Sequence, residues 1–592
     1  MRGAEPSGRT DCLRPLHAWA ILGVIIAGWW WRVIASEWYS APLNFDAWRY
    51  YLPLARKFLL DPGALWFDPD RMAVAPGSYL YFALFGADPH SVVQGNLWLS
   101  SFTIILLFDG VRRLGSRWGG LAAAASYVVS PVLLPTAMPL LSEAPYLFLV
   151  ALWLWALINM RTRPRGWPVV LLGAFAMAAA TLTRAIHLYW VPAAVVGGAL
   201  GWWWSRRSGS TQGERYFMRF AAMHLVALVP LLAYVALNTY THHTQKFVTG
   251  TGVALYFGMN AALGGEEPPY FGLEHREHAA YRGEQGHLTL DADQQLTAVG
   301  KAIAFDMPGS DLFELLQHKT AANLFFSYTH LRGKFPERFY RIVLAFFALL
   351  VLVARRREPF FQTMAVLLCY HLGVLSLLMY NQRYSVDSLE LPLVVLAGVG
   401  LSHFVGPQLN WRMRATGLTV LLIALLFGAW QLHSAPPPMP DLAKVPHVEI
   451  GRLEPADAKV ERATGSVFGE GARAMSGNVV VQWKRVDYRT IDATPILWIP
   501  LVEGAPACRG LHLVYENGGK DVRMQVVSLK GLTSPVELSL GTLWLGELAP
   551  QGGSLTLVFE CPEGARLRLG PVTLQGITLG HHYQEQVSGA LR

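Results

Sequence analysis

The sequence predicts a polytopic α-helical membrane protein of about eleven transmembrane helices, followed by a C-terminal all-β sandwich. Three observations carry this expectation. Of the 592 residues, 53% are hydrophobic and only 15% charged, where soluble domains have about a quarter charged. Apolar windows of spanning length recur through the first three quarters of the chain. After a Pro-rich stretch, the pattern changes to short runs that alternate apolar and polar residues between Gly-rich turns.

The windows lie at 17–35, 91–108, 118–134, 142–160, 168–182, 185–204, 218–238, 340–354, 360–380, 388–406 and 416–432. The first is Trp-rich (Trp29, Trp30, Trp31) and lacks a small-residue cleavage site, so it reads as a span and not a removed signal peptide. Arginines set the expected orientation. With the N-terminus inside, Arg2, Arg9 and Arg14, Arg112, Arg113 and Arg117, and Arg161, Arg163 and Arg165 fall on the inner side. So do Arg206, Arg207, Arg215 and Arg219, then Arg355, Arg356 and Arg357, then Arg412 and Arg414, as the positive-inside rule requires. The net charge of +8 is then a topology signal, and no nucleic-acid partner needs to be invoked. An odd number of spans puts the C-terminus outside.

These signals divide the chain into a membrane domain at 1–432, a Pro-rich linker at 433–447 and an outward-facing β-sandwich at 448–592. Two long segments of the membrane domain face outward, at 36–90 and 239–339. The inner loops are too short for a catalytic domain, so any chemistry belongs outside. Cys508 and Cys561 both fall in the sandwich, and on the oxidising side of a bacterial membrane they are expected to form a disulfide. Closing that loop is worth on the order of 4 kcal/mol in the chain-entropy model. Finding both thiols alkylatable in unreduced, denatured protein would reject the bridge. Cys12 is inside, and Cys369, within a span, reads as a small buried thiol.

The first outward segment contains "DAWRYYLPLARKFL", with apolar residues at helical spacing (Trp48, Tyr51, Leu52, Ala55, Phe58, Leu59). It reads as an amphipathic helix on the membrane surface. Asp46 either caps this helix or serves as a general base, and the two roles are compatible. "WFDPDRM" offers a D-x-D pair, but without a nucleotide-binding domain Asp68 reads as part of a Pro-bounded turn. Basic residues at outer span ends are few: Arg184 with His187 one turn on, Arg383 beside Tyr384, and Lys319 after His318. Each is either an interfacial anchor or an anion ligand. Glu143 opens the fourth span as a helix N-terminal acid or as a second active-site carboxylate. Glu266, Glu267, Glu274, His275, Arg276 and His278, with His242 and His243 upstream, match no defined metal-site spacing and read as a solvated loop.

Five further pieces follow that acid and surface helix in order: "APGSYLYFALFG", "LLSEAPYLFLVALWLWAL", "LTRAIHLYWVPA", "TGVALYFGMNAALGG" and "NQRYSVDSLELPLVVLAG". Together, over residues 17 to about 432, they resemble the GT-C membrane glycosyltransferases. More narrowly, they resemble the protein O-mannosyltransferase and aminoarabinose-transferase superfamily (glycosyltransferase family 39-like). Ala185 stands where that family has proline. The resemblance implies that Asp46 is the catalytic base, and it keeps Asp70 and Arg71 as residues lining the donor site. It implies a polyprenyl-phosphate-linked sugar as donor and a glycan, lipid or protein as acceptor, with inversion at the sugar.

Chemical logic points the same way. Nucleotide sugars stay inside, so an outward transferase needs a lipid-linked donor. A polyprenyl phosphate leaves without a general acid but requires cations or hydrogen-bond donors. Arg383, Tyr384, Arg184, Lys319 and Arg71 could supply these, with Arg56 and Lys57 facing the donor or lipid headgroups and Trp48, Tyr50 and Tyr51 at the interface. No cofactor is fixed by the sequence, and a divalent metal ion is left open. The alternatives are a lipid-linked glycan transporter or flippase, and a glycan ligase or polymerase of the same broad class. Carriers place ionisable groups in mid-membrane, whereas Glu143, Arg184, Arg383, Asp387 and Glu390 here sit at outer span ends. The expected setting is a bacterial inner membrane, with the site and the sandwich facing the periplasm.

Overall fold

The computed structural model describes residues 13–40, 46–162, 166–260, 264–266, 288–326 and 335–405, and the backbone of strands between 447 and 577. The chain begins with α1 (Pro15–Ile34), whose proline sits at the helix start, where a missing N–H has no partner to lose. A π-helical turn (Ala47–Tyr51) leads into α2 (Leu52–Leu60) and α3 (Pro62–Leu65), and a 3-10 turn (Pro69–Ala73) leads into α4 (Pro76–Leu84). Next come α5 (Pro89–Leu114), α6 (Arg117–Val129), α7 (Leu133–Ala137), α8 (Glu143–Thr162), α9 (Trp167–Thr183), α10 (Trp190–Arg207) and α11 (Thr211–His242). The second long segment folds as α12 (Thr251–Gly258), α13 (Leu290–Asp306) and α14 (Gly309–Phe325). The membrane part closes with α15 (Phe335–Ala354), α16 (Pro359–Leu377), α17 (Gln382–Ser385) and α18 (Leu391–Val405).

Helix starts follow local chemistry. Asp88 accepts from the Ser91 N–H at 2.8 Å, Ser116 from Gly119 at 3.1 Å and Ser210 from Gly213 at 3.3 Å. Caps of this kind are worth about 1 kcal/mol each.

This is a multi-pass membrane protein. Among the described residues, seven helices are long and apolar enough to cross a membrane, at Pro15–Ile34, Pro89–Leu114, Glu143–Arg161, Ala185–Arg207, Thr211–His242, Pro359–Leu377 and Gln382–His403. They coincide with seven of the expected windows. The window at 168–182 falls on α9, apolar but only 17 residues long, and that at 118–134 on the 13-residue α6. The window at 340–354 falls on α15, whose first two turns carry Glu337, Arg338 and Arg341. The window at 416–432 lies outside the described residues.

Short α6 stands in the bundle because it meets α18 at closest approach. A Cβ on Gly119 would lie 2.5 Å from the Gly398 carbonyl oxygen, and one on Gly398 would lie 2.8 Å from that of Gly119. Small residues that let backbones touch are how helices associate where no hydrophobic force separates protein from lipid.

Several expectations need correction. The helix expected from Asp46 runs on to Leu60 with its first turn π-helical, but the Asp46 side chain makes no capping bond. Tyr50 and Tyr51 are buried in the core instead of lying at an interface. Lys57, on the same helix, pairs its ammonium with Asp68 at 2.5 Å. Cys369 is exposed on the outside of α16 and is not a buried thiol.

Beyond residue 446 the described backbone forms antiparallel ladders. Strands β1 (His447–Leu453), β2 (Lys459–Ala463), β3 (Asn478–Val486), β4 (Thr494–Ile499), β5 (Leu501–Glu503) and β6 (Gly510–Asn517) come first. They are followed by β7 (Asp521–Ser528), β8 (Val536–Ser539), β9 (Gly553–Glu560), β10 (Arg568–Leu569) and β11 (Val572–Ile577). Pairing runs β2-β3-β9-β6-β7, β1-β11-β4-β8 and β10-β5. In the β6–β9 ladder Gly510 is opposite Glu560. These are close in sequence to Cys508 and Cys561, which lie outside the described residues.

Candidate active site

Four interruptions of helical structure bring charged side chains together at one end of the bundle. Asp46 enters the π-helical turn after α1, and Glu143 is the first residue of α8. Arg184 ends α9 in extended conformation (φ −146°, ψ 126°) before a short 3-10 turn leads to α10. Arg383 lies in α17, whose start is fixed by Asn381 Oδ1 accepting the Arg383 N–H at 2.8 Å. Asp387 follows in a π-helical turn, Val386–Glu390. Close packing holds the Arg184 corner: a Cβ on Gly77, at the start of α4, would lie 2.9 Å from Thr183 Cα.

Glu143 is the centre of this cluster, fully buried between two guanidiniums. Its Oε1 accepts from Arg383 Nε at 2.7 Å and lies 2.9 Å from an Arg184 nitrogen. Arg184 also reaches Asp387 Oδ2 at 3.0 Å and donates to Ser142 Oγ at 3.2 Å. Arg383 Nη2 lies 2.6 Å from the same Glu143 Oε1, and Nη1 spends a third donor on Asp46 Oδ2 at 3.2 Å. A guanidinium has five N–H donors, so two on Arg383 remain. The Tyr51 hydroxyl is 3.4 Å from Ser142 Oγ. Burial first, and then the Asp46 and Glu143 carboxylates, push its pKa above the ordinary tyrosine range, so it stays a proton donor.

The acids differ in access. Glu143 and Asp387 side chains are 0% exposed, whereas Asp46 is 34% and Arg383 27% exposed. Asp46 is therefore the one carboxylate of the three that a substrate can reach. It lines, with Tyr50, Tyr51, Arg184, Arg383 and Tyr384, a cavity of about 1310 Å³. Apolar residues, among them Leu188, Val235, Val374, Leu375 and Leu378, also line this cavity. Lys246 also lines the cavity and pairs with Asp293, whose Oδ1 accepts the Gly250 and Gly252 N–H groups at 2.8 and 2.6 Å.

The expected site residues divide into two groups. Asp46, Glu143, Arg184, Arg383 and Tyr384 converge, with the Tyr384 ring 5.7 Å from the Arg184 guanidinium. Arg71 and Lys319 are not brought to this cavity. Arg71 is fully buried and ties its turn to α11, donating to Tyr234 Oη, Asn238 Oδ1 and Thr241 Oγ1 at 3.2, 2.9 and 2.9 Å. Asp70 donates its backbone N–H to Asp68 Oδ1 at 2.9 Å, which makes Asp68 the cap of a 3-10 turn. Glu266 is buried against His318 Nε2 at 3.2 Å. No cluster of three or more His, Cys, Asp or Glu residues able to hold a metal ion occurs among the described residues.

Lys319 is buried with its ammonium 2.7 Å from the Gly258 carbonyl, and desolvation lowers its pKa from 10.5 to about 7. Between those values the unfolded chain binds more protons than the folded one, so this group makes stability rise with pH. Lys319→Met removes that dependence. The difference in thermal unfolding temperature, variant minus wild type, is expected to be larger at pH 6 than at pH 10. A difference independent of pH would contradict the placement of this ammonium.

Two residues of the cavity carried no signal strong enough to mark them in the sequence. Lys246 is one basic residue among many in a long outward segment, and His371 is a lone histidine in an apolar span.

No protein-family model matches the chain, and no curated protein matches it either. Solved structures similar to it include the apo oligosaccharyltransferase of Archaeoglobus fulgidus, 13% identical, at a TM-score of 0.40 over 71% of this chain and 56% of that one. The chain thus spans little more than half the length of that protein. Arabinosyltransferase EmbB from Mycobacterium smegmatis is 12% identical at a TM-score of 0.26, over 96% of this chain and 66% of that one. ArnT from Cupriavidus metallidurans, bound to undecaprenyl phosphate, is 11% identical at 0.27, over 66% of this chain and 78% of that one. At 11–13% identity and TM-scores of 0.40 and below, these likenesses assign the chain neither a family, the family 39-like one included, nor a role to any residue.

Proposed function

We propose that this protein is an integral membrane glycosyltransferase that moves a sugar from a polyprenyl-phosphate donor to an acceptor hydroxyl on the periplasmic side, with inversion. One observation carries the reading. Asp46, the reachable carboxylate of the cluster, is held 3.2 Å from Arg383 in a cavity that apolar side chains also line. A prenyl chain fits those apolar side chains, and its phosphate fits the two unused donors of Arg383 together with Lys246. Asp46 takes the acceptor's proton as the oxygen attacks the anomeric carbon from the face opposite the phosphate. The carbon–phosphate oxygen bond breaks, and its electron pair leaves on the phosphate, which needs cations and no proton. Glu143 and Asp387 fix the guanidiniums in advance, so little reorganisation accompanies the charge shift.

In this reading the membrane part is residues 1–432, and the strands at 448–592 form a periplasmic sandwich joined through the linker at 433–447. Arg383→Ala is expected to raise the donor KM and slow turnover, and Arg383→Lys to restore only part. A planar guanidinium can bridge two acids and a phosphate, while an ammonium acts as a point charge. Full activity in Arg383→Ala would remove it from the donor site and put Arg184 first.

A further inference from the structure

A second cation cluster lies at the other end of α8. Glu143 starts this helix at the cavity and Arg161 ends it, about 30 Å away at 1.5 Å per residue. There Arg161, Arg215 and Arg219 line a pocket of about 280 Å³ together with Tyr216. Arginines near an inner membrane face usually splay into water as topology signals. These come from separate helices, α8 and α11, into one small space. The Nε groups of Arg161 and Arg219 are buried and have no hydrogen-bond partner.

Among the described residues, little negative charge meets these guanidiniums. Glu358 pairs with Arg161 at 2.5 Å, yet it is also held by Arg355 at 2.6 and 2.7 Å. Glu214, next to Arg215 in sequence, does not line the pocket. Arg215 and Arg219 are four residues apart on one helix, a spacing at which like charges repel. An anion with several acceptor oxygens would relieve this, and phosphate suits the guanidinium fork.

The neighbouring surface indicates where such a phosphate would come from. A groove of about 570 Å³ adjoins the pocket at Pro359, and Leu200, Trp203, Trp204 and Phe217 line it. Trp203 is 45% and Trp204 69% exposed, as aromatics at a lipid boundary are. We infer that Arg161, Arg215 and Arg219 bind the phosphate headgroup of an anionic lipid whose hydrocarbon lies in the Trp203–Trp204 groove. This site is separate from the candidate active site and does not depend on the transferase reading.

Native mass spectrometry of the full chain in detergent, titrated with dioleoylphosphatidylglycerol, reads the retained lipid. The Arg215→Gln/Arg219→Gln variant is expected to weaken retention about thirtyfold, the combined effect of two arginines near a lipid headgroup. Trp204→Ser, at a position 69% exposed, should weaken it severalfold with the guanidiniums intact. Unchanged retention in either variant overturns the proposal. In thermal unfolding, the lipid is expected to stabilise the wild type while millimolar inorganic phosphate does not. An equal shift from phosphate alone would show a free-anion site and overturn the lipid assignment.

Discussion

Asp46→Asn is expected to leave the fold and donor binding intact and to remove nearly all sugar transfer. Asparagine has almost the same volume and still offers an oxygen to Arg383, but it cannot accept the acceptor's proton. A positioned general base contributes roughly 10²–10⁴ in rate, so turnover should fall by about three orders of magnitude with little change in donor KM. Stability should hardly move, because the Asp46–Arg383 pair is partly solvated, at 34% and 27% exposure, and exposed pairs are worth about 0–1 kcal/mol. Turnover near the wild-type rate in Asp46→Asn would mean that another group takes the proton.

Arg184→Met should act in the opposite sense, through stability first. The Asp387 side chain is fully buried, and Arg184 at 3.0 Å is its ion-pair partner. Replacing the guanidinium by a thioether of similar length leaves that carboxylate buried and uncompensated, a change that costs about 3–5 kcal/mol. Replacing Asp387 as well should recover part of the loss, because hydrophobic replacement of both partners of a buried pair is often neutral. Thermal unfolding of the two single variants and Arg184→Met/Asp387→Leu in detergent gives the coupling. A fully stable Arg184→Met, or single effects that simply add, would contradict the ion-pair network.

Much of this network could be read from the chain because membrane sequences make charge rare. Glu143, Arg184, Arg383 and Asp387 stand out at the ends of apolar runs, where an ionisable group is costly without a partner. What the sequence could not show is which acid meets which base. Glu390, three residues after Asp387, pairs instead with Arg341 at 2.8 Å, and both side chains are fully buried. The division depends on the π-helical turn at Val386–Glu390, which rotates neighbouring side chains to different faces. Arg71 shows the converse error of proximity. Its loop neighbours the site in sequence, yet Tyr234, Asn238 and Thr241 on α11 occupy its donors. Span lengths were legible only where runs were long. The 13-residue α6 crosses α18 through Gly119 and Gly398, a contact that apolar periodicity does not encode.

The central claim is that a lipid-phosphate sugar bond is broken at Asp46 by direct displacement. The most direct measurement is an assay of the purified full chain against a panel of polyprenyl-phosphate sugars with a hydroxyl acceptor, reading released polyprenyl phosphate and the anomeric configuration of the product by NMR. The prediction is release of the lipid phosphate matched one for one by a glycoside of inverted configuration. A product that retains the donor's configuration, or lipid-linked sugar that crosses a vesicle membrane uncleaved, would contradict it.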